Sequence, residues 1–134
     1  MIDYSQMLKD NNLKVTPQRV AIVDELYLNG HLNIDELYTL LKSKFPSISL
    51  ATIYKNMNSM MQNLFVTEVK IPHEKSVYEL TKELHSHVVC SNCNHIDDIV
   101  LDVTPLLNEA NTKCDFKFDD VNVVFTGLCK KCSK

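Results

Sequence analysis

No stretch of this 134-residue chain approaches the ~20 consecutive apolar residues that a membrane-spanning helix needs. The opening Met1-Ile-Asp-Tyr4 has no basic segment leading into an apolar one, so no secretory signal is expected. The chain is therefore expected to be cytoplasmic. Positive charge is not in excess either. The net charge is −3, which argues against a protein that is basic overall, as many DNA binders are. Internal repeats and low-complexity segments are also lacking. One local absence points the other way. No Asp or Glu falls between Glu36 and Glu68, whereas Lys42, Lys44 and Lys55 do. A near-neutral chain can thus carry a locally basic face. Apolar residues make up 45% of the chain, enough for a real core.

The helical patterns lie in the first part of the chain. Residues 4–11 suit a short helix with Leu8 facing inward. Thr16-Pro17 is a strong helix start, a capping hydroxyl followed by proline at the first helical position. Val20, Val23, Leu26 and Tyr27 keep helical spacing, and Gly30 suits the end of that helix. Asn33 and Glu36 have the spacing of a capping box. Leu37, Leu40, Leu41 and Phe45 continue that helix to Pro46. Ser49 suits the next cap. After it, Leu50, Ile53, Met57, Met60, Met61 and Leu64 form one apolar stripe. The opposite arc carries Ala51, Thr52, Lys55, Ser59 and Gln62, small or polar and free of acids. That suits a helix lying in a major groove. Tyr54 lies at the margin of the stripe, either against a base or closing the core edge. Residues 65–71 and 76–80 read as strands around a turn holding Pro72 and His73. Three helices and a hairpin make the winged-helix form of helix-turn-helix. The rival reading is a plain helical domain with a solvated polar face.

The pattern changes near residues 78–81, so domains are expected over 1–80 and 81–134. Cysteines sit as two Cys-x-x-Cys pairs, Cys90/Cys93 and Cys129/Cys132. In a reducing compartment such pairs mean metal or redox chemistry. Redox pairs normally open a helix, and neither pair is followed by a helix-like sequence. Four soft thiolates suit tetrahedral zinc. The long gap between the pairs requires a small α/β subdomain, with strands over 96–101 and 121–125 and a helix starting at Thr104-Pro105. The fifth cysteine, Cys114, is expected to be a half-buried small apolar residue. His85 and His87, two apart on a strand, share one face and can chelate. Glu79, Asp97 or Asp98, and His31 are further candidate donors, with His95 a rival ligand beside the cysteines and His73 a surface residue. A nitrogen and oxygen set is harder than four thiolates and suits iron, manganese or more weakly bound zinc.

The motifs Thr16-Pro-Gln-Arg19, Ser49-Leu-Ala-Thr-Ile-Tyr54, His85-Ser-His87-Val-Val-Cys90-Ser-Asn-Cys93 and Cys129-Lys-Lys-Cys132 occur in one order along the chain. In these the chain resembles the ferric uptake regulator family of metal-dependent repressors over essentially its whole length. The resemblance implies an α+β protein, a winged-helix DNA-binding domain followed by an α/β dimerisation domain with a four-cysteine zinc site. It implies a homodimer that binds AT-rich inverted-repeat DNA and is not an enzyme. Structural zinc falls on Cys90, Cys93, Cys129 and Cys132. A regulatory ferrous iron or manganese falls on His31, Glu79, His85, His87 and Asp98. DNA contacts fall on Lys14, Thr16, Arg19, Ser49, Thr52, Tyr54, Lys55 and Asn56. The absence of a cysteine near Glu79 counts against zinc sensing. Asp98 matches the aspartate of the family's peroxide-sensing branch, in which peroxide oxidises an iron-bound histidine. Here the susceptible residues would be His31 and His85. The alternative is an iron-responsive repressor of iron-uptake genes.

Overall fold

The computed structural model describes residues 2–82, 85–118 and 121–133. The chain divides into two compact units, Met1–Thr81 and Lys82–Lys134. None of the described helices is long and apolar enough to cross a membrane.

The first unit is built from α1 (Tyr4–Asp10), α2 (Pro17–Asn29), β1 (Leu32–Asn33), α3 (Ile34–Lys44), α4 (Leu50–Gln62), β2 (Val66–Val69) and β3 (Val77–Leu80). Local chemistry sets the helix starts. The Thr16 hydroxyl accepts from the Arg19 amide, with Pro17 opening the helix. Asn33 and Glu36 form a complete capping box at α3. The Ser49 hydroxyl accepts from the Thr52 amide at α4. Gly30, at φ 79°, ends α2 in a conformation that L-residues with a Cβ resist. Four helices and a three-stranded sheet in the order β1-β3-β2 give the winged helix expected from sequence, with α2 to α4 as its three helices and α1 preceding them. Its core joins Leu8, Ile22, Leu26, Leu37, Leu41, Ile53, Met57, Met60 and Tyr78.

The apolar stripe of α4 is shorter than its sequence suggests. Ile53, Met57 and Met60 are buried, but Leu50 is exposed, and Leu64 lies beyond the helix end at 77% exposure. The helix stops at Gln62, and Leu64 takes a positive φ of 58° that turns it away from the stripe.

The second unit contains β4 (Ser86–Cys90), β5 (Ile96–Ile99), α5 (Thr104–Lys113) and β6 (Val124–Gly127). Its sheet runs β5-β4-β6, with β4 antiparallel to β5 and parallel to β6. The last strand lies three residues beyond the start expected over 121–125, because pairing sets His87 against Val124 and Cys90 against Gly127. Among the described hydrophobic residues of this unit only Val89 and Cys90 are buried. Helix α5 buries no residue. Val100, Leu106, Phe116, Phe125 and Leu128 are exposed, a large apolar surface for so small a unit.

Candidate metal centres and nucleic-acid interface

The four paired cysteines gather because two parallel strands end side by side. Cys90 closes β4 opposite Gly127, the last residue of β6, and Cys129 follows two residues on. Each pair sits on a tight turn. Asn94 N–H donates to the Cys90 carbonyl at 2.9 Å, and Cys132 N–H donates to the Cys129 carbonyl at 3.0 Å. The four Sγ atoms lie within 4.8 Å of one another, with Cys93 and Cys129 at 3.8 Å. Tetrahedral zinc with bonds of about 2.3 Å sets its sulfurs about 3.8 Å apart, so the residues fit the ion. The turns also tune the thiols. The backbone N–H groups of Cys93 and Cys129 point at Cys90 Sγ and hold its pKa down to about 5. At Cys132 the Asn92 amide is the largest influence and draws the pKa down. The Cys129 and Cys90 thiols together outweigh it and push the value up to about 11. Cys114 corrects the expectation of half-burial. It is exposed at the end of α5, its thiol turned to the Ala110 carbonyl at 3.4 Å.

A second cluster lies on the other part of β4. His85 and His87 set their Nε2 atoms 3.0 Å apart, with ring planes at 67°. Asp98 stands directly across the ladder from His87 on β5. Its Oδ1 lies 3.6 Å from the Nε2 of each histidine. Donors about 2.1 Å from one ion at right angles lie about 3.0 Å apart, so two imidazoles and a carboxylate in this arrangement can chelate. The register separates the two aspartates. Asp97 opposes Val88 and pairs instead with His95 at 3.1 Å. Lys82, which sequence inspection did not single out, contacts Asp98 Oδ2 at 2.9 Å. Nothing local in the sequence marks that contact, since the partners lie 16 residues apart.

In the first unit, His31 and Glu79 form a pair. His31 follows Gly30 and enters β1, which pairs with β3 so that Leu32 opposes Tyr78. That register brings His31 Nε2 to 2.8 Å from Glu79 Oε2, a buried carboxylate. His73 lies in the β2–β3 turn at φ 64° and His95 between β4's end and β5, both exposed.

Of the expected DNA contacts, Tyr54 and Lys55 are exposed on α4. Thr16, Ser49 and Thr52 are engaged in helix caps, with the Ser49 and Thr52 hydroxyls 3.0 Å apart. Arg19 turns toward protein partners. Its Nε donates to Asn56 Oδ1 and its Nη1 to the Lys14 carbonyl, both at 3.0 Å. Sequence spacing did not reveal this link across 37 residues.

Comparison with known proteins accounts for nearly the whole chain. The sequence model of the ferric uptake regulator family matches residues 10–126. The ferric uptake regulation protein of Bacillus subtilis is 33% identical, over 96% of this chain and 91% of that protein. A peroxide-responsive repressor of Staphylococcus saprophyticus is 34% identical, over 97% and 89%. The crystal structure of the Campylobacter jejuni peroxide stress regulator superposes with a TM-score of 0.69 at 36% identity, covering 98% of this chain and all of that one.

Proposed function

The chain belongs to the ferric uptake regulator family, and from that premise we propose that it is a cytoplasmic, metal-dependent transcriptional repressor relieved by peroxide. It acts as a homodimer on AT-rich inverted-repeat DNA, and it is a regulator, not an enzyme. The observation that carries the reading is the Asp98 carboxylate facing both imidazoles of His85 and His87.

In this reading the winged helix over 1–80 holds DNA, and residues 81–134 hold the dimer together. The acid-free arc of α4 supports the first role. The exposed Val100, Leu106, Phe116 and Phe125 support the second, since a second copy would cover them. Cys90, Cys93, Cys129 and Cys132 keep a permanent zinc. His31, Glu79, His85, His87 and Asp98 are the donors of the regulatory ion. An ion bound more tightly by the DNA-competent arrangement shifts the population toward it. Bound ferrous iron would supply the electrons that reduce peroxide and lead to oxidation of a histidine ligand. Loss of that imidazole donor lowers the affinity for metal, and repression ends.

The test loads the protein with ferrous iron, adds one equivalent of peroxide and maps peptides by mass spectrometry. One added oxygen on the peptides holding His31 or His85, with release from DNA, is the expected result. An unmodified protein that stays on DNA overturns the peroxide reading. Iron-dependent DNA binding without oxidation would instead favour an iron-responsive repressor of iron uptake. The similarity to the Bacillus subtilis ferric uptake regulation protein favours that second reading.

A further inference from the structure

We propose that Arg19 is a positioning residue for DNA readout, and that through it Asn56 becomes the specificity-determining hydrogen-bond donor of α4. The proposal rests on reading α4 as the recognition helix. An arginine in a DNA-binding unit usually offers its fork to phosphate or guanine. Here the fork is committed inward. Nε donates to Asn56 Oδ1, Nη1 donates to the Lys14 carbonyl, and the Arg19 amide donates to the Thr16 cap. One residue thus ties the segment before α2, the first turn of α2 and the middle of α4. Both Arg19 and Asn56 are half-buried, so the link is sheltered from water.

The consequence falls on Asn56. A carboxamide has an acceptor end and a donor end, and a guanidinium only donates. Contact with Arg19 Nε therefore fixes the orientation: Oδ1 faces α2, and Nδ2 is the end left for another partner. Among the described residues no hydrogen bond uses that Nδ2. Asn56 lies one turn from the buried Ile53 and Met60, at the edge of the face α4 turns to the core. Thr52 and Ser59 flank it on that edge. An asparagine reading adenine uses both ends, accepting from N6 and donating to N7. With its oxygen engaged, Asn56 reads as a donor alone. Its match is a groove-edge acceptor: a purine N7, guanine O6 or thymine O4.

The test is a double-mutant cycle. The manganese-loaded wild-type protein selects duplexes from a random pool. One selected and one unselected duplex are then titrated with wild type, Arg19→Lys, Asn56→Ala and the double variant at several salt concentrations. Each single change should weaken the selected duplex about tenfold and leave the unselected one unaltered. The double variant should bind no more weakly than Asn56→Ala alone, and the salt slope should not change. Replacing purines by their 7-deaza analogues, guanine by 6-thioguanine, or thymine by 4-thiothymine, should find one position where the wild type loses affinity and Asn56→Ala does not. A salt slope that falls by about one with Arg19→Lys, with equal losses on both duplexes, would mark a phosphate contact and overturn the proposal. So would a full Arg19→Lys loss in the Asn56→Ala background. Asn56→Ala leaves the Arg19 anchor on Lys14 in place, so an unaltered sequence preference in that variant is decisive against the idea. A wild type that selects no duplex overturns the recognition-helix reading itself.

Discussion

Lys82 Nζ lies 2.9 Å from Asp98 Oδ2, while the other oxygen of that carboxylate faces His85 and His87. One carboxylate is thus shared between a cation of its own chain and the donor set proposed for the regulatory ion. The ammonium neutralises part of the charge that attracts a divalent ion. Both partners are solvent-accessible, at 46% and 31%, so the pair is worth about 1 kcal/mol at most. Lys82→Met should therefore tighten manganese binding by about two- to fivefold, and Lys82→Arg should leave it unaltered. Titration followed by manganese electron paramagnetic resonance reads this directly. Asp98→Asn should abolish binding in either background. Weaker binding by Lys82→Met would mean that the lysine orients the carboxylate and does not compete for it.

The zinc centre makes a different kind of demand. The first unit has an extensive core, whereas the second buries little beyond Val89 and Cys90. Zinc binding by such a unit is coupled to its folding. Cys90→Ser should remove zinc and split thermal unfolding, with the residues of α5 and β4–β6 melting early and the winged helix keeping its own transition. Cys114→Ser, altering an exposed thiol remote in sequence from both pairs, should retain one zinc per chain. Zinc content by atomic emission, with calorimetry, separates the cases. Full zinc in Cys90→Ser would rule out the four-thiolate assignment.

How much of this was readable in advance depended on the range of the interaction concerned. Thr16, Asn33 with Glu36, and Ser49 cap their helices through partners three residues away, so spacing alone exposes them. The Cys-x-x-Cys turns are equally local. Strand β6 is not, because its bounds follow from parallel pairing with β4, a partner 37 residues distant in the register. Periodicity placed it early for that reason. The choice between Asp97 and Asp98 rests likewise on the β4–β5 register. Lys82–Asp98 and Arg19–Asn56 join side chains that no motif pairs. The apolar run from Leu50 to Leu64 overstated α4 at its C-terminal end, where the helix stops at Gln62, since a stripe records hydrophobicity and does not record where the backbone turns.

Below the early melting of its second unit, checked by circular dichroism, zinc-stripped and reduced protein should not titrate its thiols together. Cys90, held near 5 by the Cys93 and Cys129 amides, should remain a thiolate on acidification until about that pH. Cys132, at about 11, should ionise last. The signs for stability differ. A depressed folded pKa favours the folded state above the ordinary thiol value, and that gain is lost as pH falls through about 5. A raised folded pKa favours it below the ordinary value, and that gain is lost as pH rises through about 11. Ultraviolet thiolate absorbance against pH should show one early step that Cys90→Ser removes. Ionisation of all thiols in a single step near the ordinary value would contradict this geometry.

Leu64 closes α4 at φ 58°, a conformation costing an L-residue with a Cβ about 1–2 kcal/mol. The hydrogen bonds show why the chain accepts it. Leu64 N–H donates to the Met61 carbonyl at 3.0 Å, and Phe65 N–H donates to the Met60 carbonyl at 2.9 Å. This is the turn that satisfies the last carbonyls of a helix, and its left-handed position usually belongs to glycine. The side chain is 77% exposed, so its removal loses little packing. Glycine also makes the unfolded chain more flexible, offsetting about 0.5–1 kcal/mol of the gain. Leu64→Gly should therefore stabilise the first unit by up to about 1 kcal/mol, a rise of about 4 °C in Tm for a domain this size. Leu64→Ala keeps a Cβ in the same conformation and should gain nothing. Calorimetry of the three proteins side by side decides the matter. A lower Tm for Leu64→Gly would mean that the exposed leucine makes a stabilising contact in the assembled protein.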